Sequence, residues 1–314
     1  MPCPFLKETE VRYCRSSTIR KLIPMAQAGR AEERCSSEGY AGCPVFQQQP
    51  DAGEVAAFGS CPYLHETLMQ YCGAASITKF VPYSESLLSR CGNDTHRYCE
   101  LYLAMAHPAP PAETVDGIPM PGELRYSANH MWVDVTGDGI AHAGIDAFLG
   151  RALGQVERIS YVWQKGLHRP TAVVTVAGVD LEITFPFPLQ LTNCNLYLRA
   201  NPGRLTAEPY TGGWLFEGIA DAGTMESLPR GDEAHDWMDT EVRRMSEFLQ
   251  HLPAPGVAAG VSAPGGTSGP MAAAGTIGPT AADGGVFSPG LAKHIDREQM
   301  LALFHEFFSP YASR

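Results

Sequence analysis

The sequence predicts a multi-domain α+β protein in which tandem small cysteine modules precede a β-rich domain and C-terminal helices. Three observations lead to this fold class. The first hundred residues repeat one four-cysteine pattern, the middle of the chain carries short alternating runs rich in Val, Ile and Leu, and the final part places apolar residues at helical spacing. A chain of 314 residues has room for two or three domains.

The repeated pattern comprises two units, which we place at residues 1–52 and 53–106. The first unit opens with C-P-F-L-K-E-T-E-V-R-Y-C and the second with C-P-Y-L-H-E-T-L-M-Q-Y-C, and each then adds two further cysteines with seven residues between them. The repeated cysteines are Cys3, Cys14, Cys35 and Cys43 in the first unit, and Cys61, Cys72, Cys91 and Cys99 in the second. We expect each unit to gather its own four sulfurs around one centre.

Such small modules bury little apolar surface, so a covalent or metal staple is expected. Disulfides need an oxidising compartment, whereas this chain shows no apolar run of signal-peptide length and no stretch of about 18 apolar residues. We therefore interpret the protein as cytoplasmic, without a membrane span. Four thiolates can hold either zinc or an iron–sulfur cluster.

The predicted centres could contain either zinc or an iron–sulfur cluster, and both alternatives remain open. The sequence has no C-x-x-C pair, and proline follows Cys3, Cys43 and Cys61, which slightly favours iron–sulfur over zinc. We predict two metal centres whose ligands are the eight repeated cysteines. Cys194 has no counterpart and is expected to be a buried apolar residue.

Charge and motifs exclude several function classes. The net charge of −11 argues against nucleic-acid binding, which favours a basic face. No phosphate-binding glycine motif occurs, and the histidines show neither metal-ligand nor catalytic spacing. We predict a protein that is not itself an enzyme.

Composition sets the remaining boundaries. We expect a proline-rich linker at 107–122, a β-rich domain at 123–222 and an amphipathic helix at 230–252. A Gly/Ala/Pro/Ser tract at 253–290 predicts a flexible linker. It leads to a C-terminal docking helix within 291–314, whose aromatic face would pack either on its own chain or on a protein partner.

The β-rich domain carries motifs of a known family. R-Y-S-A-N-H-M-W-V places Tyr126, His130, Trp132 and Val133 as in the pattern Y-x-x-x-H-x-W-V, and P-Y-T-G-G-W-L follows P-Y-x-x-G-W-[LI]. In these motifs the domain resembles the glycine cleavage system H protein, a small lipoyl carrier. The resemblance implies an all-β barrel-sandwich hybrid with small helices at its edge.

The same resemblance locates the position where the carrier chemistry belongs. The family attaches lipoate to a lysine in a hairpin turn, E-S-x-K-[AM], about eight residues before an S-P. Gly178 or Val179 falls at that position, within V-A-G-V-D-L-E-I before Pro186, and the domain's single lysine, Lys165, comes well before the hairpin. The resemblance thus implies the fold of a carrier without lipoate.

We therefore expect a non-lipoylated H-like accessory or scaffold protein that carries two cysteine-ligated centres and docks within a larger complex. Two alternatives remain. One is an electron-transfer subunit of a redox complex, and the other is a genuine lipoyl carrier of the glycine cleavage H type.

Overall fold

The chain forms two compact units, Met1–His107 and Pro108–Arg314, in a computed structural model. In the part that the structure describes, no helix is long and apolar enough to cross a membrane. The described residues are 1–17, 23–24, 34–49, 59–77, 79–81, 90–109, 113–137, 139–252 and 287–310.

The N-terminal unit contains a four-stranded antiparallel sheet in the order β2-β1-β3-β4. Its two central strands pair over nine positions, from Leu6 opposite Cys72 to Cys14 opposite Leu64. The strands are β1 (Leu6–Cys14), β2 (Ile23–Pro24), β3 (Leu64–Cys72) and β4 (Lys79–Val81). Because β1 belongs to the first repeat and β3 to the second, the division into separate modules at 1–52 and 53–106 does not hold.

The short helices of this unit also occur twice, in the same order. In each repeat the third cysteine lies in a 3-10 helix (Arg34–Ser36 and Arg90–Gly92), and a second 3-10 helix follows (Glu38–Gly42 and Asp94–Tyr98). The fourth cysteine then caps the N-terminus of an α-helix: Cys43 precedes α1 (Pro44–Gln47) and Cys99 precedes α2 (Glu100–Ala106). The two repeats therefore share one local fold.

The second unit is built on sheets of six, three and two strands, with orders β11-β14-β15-β9-β8-β7, β10-β12-β13 and β5-β6. All the pairings are antiparallel. The strands are β5 (Thr114–Val115), β6 (Ile118–Pro119), β7 (Arg125–Ser127), β8 (Met131–Val135), β9 (Ile140–Ile145), β10 (Arg158–Val162), β11 (Leu167–His168), β12 (Thr171–Val176), β13 (Val179–Thr184), β14 (Leu189–Cys194) and β15 (Phe216–Ile219).

Among its described residues, the second unit has five α-helices: α3 (Ala147–Leu153), α4 (Arg204–Ala207), α5 (Ala222–Glu226), α6 (Asp232–His251) and α7 (Arg297–Phe308). The longest, α6, occupies the region where an amphipathic helix is predicted. The predicted apolar stripe consists of Met238, Val242, Met245, Leu249 and Leu252. The helix buries the first four, whereas Leu252 is its C-cap residue and is half-buried. Asp296 caps α7 through a reciprocal bond pattern with Gln299.

The core explains why particular residues of the resembling motifs are required. Trp132 is fully buried and its indole N–H donates to the carbonyl of Pro209 at 3.0 Å. A Cβ atom on Gly144 would lie only 2.8 Å from the Trp132 ring, so the strand opposite this ring must carry glycine. Tyr210 donates its hydroxyl proton to the carbonyl of Pro119 at 2.6 Å.

The predicted linker at 107–122 is wrong for its described second half. Residues from Thr114 to Pro119 form the β5–β6 hairpin, and Ile118 and Met120 are buried in the second unit. The prolines mark turns in this segment, while its apolar residues join the core.

The predicted flexible linker at 253–290 falls mostly outside the described residues. Its last four residues are described, and the first and last of them, Phe287 and Gly290, are buried. Phe287 is fully buried against Phe148 with ring centroids 5.1 Å apart, and the Arg151 side chain donates to its carbonyl. Gly290 approaches Gly154 so closely that a Cβ on Gly154 would lie 2.4 Å from the Gly290 Cα.

The C-terminal helix α7 packs on its own unit. Phe307 and Phe308 are buried and contact Phe148 with centroid distances of 6.3 Å each. Phe307 also packs edge-on against Phe248 of α6 at 5.5 Å. Of the two predicted alternatives for this helix, the structure shows packing on its own chain, which covers the aromatic face.

Candidate functional site

The hairpin turn predicted to stand in place of the lipoyl turn is a two-residue connection between β12 and β13. Ala177 and Gly178 both have positive φ, 48° and 74°, as in the type I′ turns that suit a tight hairpin. Val176 and Val179 form the last pair of the ladder, and the Gly178 N–H donates to the Glu157 carboxylate at 3.3 Å. The tip therefore carries a methyl group and a hydrogen, and offers no amine.

Lys165 lies at the other end of this sheet. Strand β10 runs from Arg158, which pairs with Thr175 beside the turn, to Val162, which pairs with Thr171. Lys165 follows Val162 and is exposed in the loop before β11. The end of β10 near Lys165 is thus four strand residues, or roughly 13 Å, away from the end that lies beside the Ala177–Gly178 turn. The residues present do not fit a lipoyl attachment site at the hairpin.

The cysteines of the N-terminal unit contact each other across the two repeats. The Cys3 N–H donates to the carbonyl of Cys91 at 2.8 Å, and the Cys3 carbonyl accepts from Leu6, which faces Cys72 in the sheet. Burial raises the pKa of the Cys3 thiol, and the neighbouring charges of Cys99 and then Cys72 raise it further. Cys3 therefore lies among the second, third and fourth cysteines of the other repeat.

The same contacts recur with the repeats exchanged. The Cys61 N–H donates to the carbonyl of Cys35 at 2.7 Å, and the Cys61 carbonyl accepts from Leu64, which faces Cys14. Cys61 is buried in an apolar cluster with Tyr40 and Phe46, against which Cys35 and Cys43 also pack. The expectation that each repeat gathers its own four sulfurs is wrong, because the first cysteine of each repeat lies with the other repeat.

All nine cysteines are among the described residues and are free thiols. Within the described ranges, no group of three or more His, Cys, Asp or Glu side chains is already arranged to hold a metal ion. Cys194 is buried at the end of β14, where burial raises its pKa to about 11. Its thiol therefore stays protonated at neutral pH, as expected for an apolar packing residue.

A buried charged cluster in the second unit has no counterpart in the sequence-based expectations. His130 and Asp146 are fully buried, and the His130 Nδ1 lies 2.8 Å from the Asp146 carboxylate. The His130 Nε2 lies 3.5 Å from a Glu241 oxygen, which is long for a hydrogen bond but close for an ion pair. Burial lowers the pKa of His130, yet Asp146 and then Glu241 outweigh burial and raise it overall.

The cluster continues to the C-terminal helix. Glu241 accepts two hydrogen bonds from Arg244 at 2.8 and 2.9 Å, and Arg244 pairs with Glu306 of α7 at 3.0 Å while its guanidinium stacks 4.3 Å above the Phe307 ring. The charges therefore connect the β7–β8 turn, α3, α6 and α7. With no exposed surface on His130 or Asp146, the cluster holds these elements together rather than meeting a substrate.

Few local patterns in the sequence indicate this cluster. His130, Asp146 and Glu241 lie far apart along the chain, so no spacing pattern links them. Two local features mark members of the cluster. Asp146 is the N-cap residue of α3, and its side chain accepts a hydrogen bond from the Leu149 N–H. His130 adopts a positive φ of 59° in a tight turn.

Comparison with known proteins places the second unit in a family. The family model described as Glycine cleavage H-protein matches residues 124–241, extending into α6 and including Glu241. The chain is 30% identical over 128 residues to a glycine cleavage system H protein of Alcanivorax borkumensis, covering 39% of this chain and 98% of that protein. It is 28% identical over 126 residues to that of Aeromonas hydrophila, again covering 39% and 98%.

A solved glycine cleavage system H protein from Mycobacterium marinum is 19% identical, with a TM-score of 0.32, and the match covers 38% of this chain and 99% of that one. The sequence matches define a protein that contains an H-protein-like domain. The chain belongs to the glycine cleavage H-protein family through residues 124–241. The matched relatives correspond to the second unit, and the cysteine repeats lie outside the match.

Proposed function

We propose that this chain is a non-lipoylated member of the H-protein family that serves as an accessory scaffold, docking within a larger protein complex. The single observation that carries the proposal is the Ala177–Gly178 turn. A lipoyl arm is attached through an amide to a primary amine, and this turn offers only a methyl group and a hydrogen. The carrier surface is kept, and the arm is lost.

The second unit supports a docking role by exposing large apolar side chains on neighbouring elements. Trp163 and Leu167, in and beside the β10–β11 loop, are 61% and 71% exposed, and Tyr197, in the 3-10 helix Leu196–Arg199, is 60% exposed. The Tyr161 hydroxyl donates to the Asn195 carbonyl at 2.8 Å, which ties β10 to that 3-10 helix. Exposed apolar groups on neighbouring elements are typical of protein-binding surfaces.

In the N-terminal unit, we propose that the eight repeated cysteines hold two metal centres, either iron–sulfur clusters or zinc ions. The recurrence of all four positions in both repeats supports this, because chance does not preserve such a register. Iron–sulfur clusters would make the protein an electron-transfer subunit, the second candidate function. Zinc would make the centres structural. Iron–sulfur clusters absorb visible light whereas zinc is colourless, so absorption of the anaerobically purified protein separates the two.

The proposal that this chain carries no lipoyl arm is tested by enzymatic lipoylation. The full chain is incubated with lipoate ligase, ATP and lipoate, beside an H protein that carries the attachment lysine. We expect the control to gain one lipoyl group by intact mass and this chain to remain unmodified. A lipoyl group on Lys165 would overturn the proposal and restore the carrier function.

A matched variant restores only the amine. Gly178→Lys places a primary amine at the turn, where φ of +74° disfavours any side chain. We expect little or no modification, because the acidic residue that flanks the lysine in the family motif is also missing. Full modification of this variant would show that the lost amine alone separates this chain from the carriers.

A further inference from the structure

The central strand pair of the N-terminal unit decides which cysteines can share a centre. Strand β1 follows Cys3 and ends at Cys14, with Leu6–Cys14 in extended conformation over nine residues. Extended strands rise about 3.3 Å per residue, so the two ends of β1 lie roughly 26 Å apart. Ligands of one zinc ion lie within about 2.3 Å of the metal. Cys3 and Cys14 therefore cannot bind the same ion while β1 is a strand.

The antiparallel pairing of β1 with β3 places other cysteines near Cys3 and Cys14. Because β1 and β3 run in opposite directions, the start of each strand lies beside the end of the other, with Leu6 opposite Cys72 and Leu64 opposite Cys14. Tight turns hold the first cysteines at these ends, since the carbonyls of Cys3 and Cys61 accept from the N–H groups of Leu6 and Leu64 at 2.9 and 3.0 Å.

The 3-10 helices bring the third and fourth cysteines to the same ends. Cys3 bonds to the backbone of Cys91, and Cys61 bonds equivalently to Cys35. The fourth cysteine follows after a second 3-10 helix, and Cys43 packs in the cluster around Cys61. In the second repeat, the Arg90 side chain donates to the carbonyl of Tyr98, which ties the residue before Cys91 to the residue before Cys99.

We propose that the two four-thiolate centres are exchanged between the repeats, so that one is formed by Cys3 with Cys72, Cys91 and Cys99, and the other by Cys61 with Cys14, Cys35 and Cys43. The inference rests on the proposed metal centres and specifies their ligands. Each centre takes its first ligand from one repeat and the other three from its neighbour.

Backbone hydrogen bonds and the strand register bring these cysteines to the same ends of the β1–β3 pair, and the metal would draw their sulfurs into a coordination shell. Binding of Zn²⁺ to four thiols releases up to four protons and couples coordination to folding. Since each ion joins both repeats, neither repeat can complete a centre alone. The repeats therefore form one metal-dependent unit, held at both ends of the β1–β3 pair.

Thiol protection in the full chain tests the exchange directly. The reduced protein is loaded with Zn²⁺, freed of excess metal and treated with iodoacetamide, and the alkylated cysteines are mapped by peptide mass spectrometry. We expect about two zinc ions per chain and protection of all eight repeated cysteines. Cys3→Ser should lower the zinc content to about one and make Cys72, Cys91 and Cys99 reactive. Cys61→Ser is the matched variant and should expose Cys14, Cys35 and Cys43.

Double variants give the same answer by zinc content alone. Cys3→Ser with Cys72→Ser removes two ligands of one exchanged centre, so about one zinc ion per chain should remain. Cys3→Ser with Cys14→Ser damages both centres and should leave none. The reverse result, or reactivity of Cys14, Cys35 and Cys43 in Cys3→Ser, would overturn the exchange and leave the proposed centres standing. A wild-type chain that retains neither zinc nor, after reconstitution, iron with sulfide would overturn both.

Discussion

The two units of this chain reach a folded state by different means. The second unit buries a continuous set of large side chains, among them Trp132, Phe148, Phe185, Phe216 and Phe307. Among the described residues of the N-terminal unit, the fully or nearly fully buried large side chains are few and lie apart, with Tyr40 and Phe46 in one repeat and Tyr98 and Leu103 in the other. The proposed metal centres would therefore contribute far more to the stability of the first unit than to that of the second.

If the proposed centres form, one polypeptide would combine a metal-dependent unit with a unit that folds on its apolar core. The second unit compensates the buried charged cluster around His130 internally, since His130, Asp146, Glu241 and Arg244 neutralise each other. The N-terminal unit instead concentrates thiols at both ends of its central strand pair. Perturbing metal, apolar packing and pH should therefore affect the two units separately.

The largest effect is expected from metal removal. Coordination of a structural zinc ion contributes on the order of 10 kcal/mol to the folding of small domains. We expect a chelator to abolish amide-exchange protection in β1 and β3 while the strands of the second unit keep theirs. Hydrogen exchange followed by mass spectrometry reads both units in one sample. Persistent protection of the β1–β3 pair in metal-free protein would break the contrast between the units.

The next effect concerns the C-terminal helix and the second unit alone. Phe307→Ala removes a fully buried ring from between α6 and the core, which should lower the free energy of unfolding by about 3–5 kcal/mol. Leu301→Ala, on the same helix but 44% exposed, is the matched control and should change it by less than about 0.5 kcal/mol.

Tryptophan fluorescence during urea unfolding measures this change selectively, because all four tryptophans lie in the second unit. Equal, small effects of the two substitutions would mean that α7 leaves the domain easily. The helix face would then again be available to a partner, as the sequence suggested.

The sequence indicated the units but could not supply the contacts between distant segments. The cysteine repeat and the H-protein motifs lie in contiguous stretches, where spacing alone carries the signal. The proposed exchange of Cys3 and Cys61 between the repeats follows from the antiparallel pairing of β1 with β3. Identical spacing is compatible with either grouping, so only the strand direction distinguishes them.

Two other differences have the same origin. The prolines of residues 107–122 signal turns, but whether Ile118 and Met120 are covered depends on the rest of the second unit. The aromatic face of α7 was recognisable, while its partner was not, because Phe148 lies more than a hundred residues earlier. Local patterns predict what must be buried, and tertiary contacts decide where.

The smallest effect is a pH dependence confined to the second unit. Asp146 and Glu241 raise the pKa of the buried His130 above its ordinary value near 6.5, so the folded state binds a proton more tightly than the unfolded state. The stabilisation is then complete below about pH 6.5 and is lost as the pH rises through the folded-state pKa. The free energy of unfolding should fall in that range by up to about 1.4 kcal/mol per pH unit.

His130→Gln should remove this slope, whereas His251→Gln, at an exposed position on α6, should keep it. Urea unfolding followed by tryptophan fluorescence at several pH values measures the slope, and the same slope in His130→Gln as in the wild type would assign it to another group.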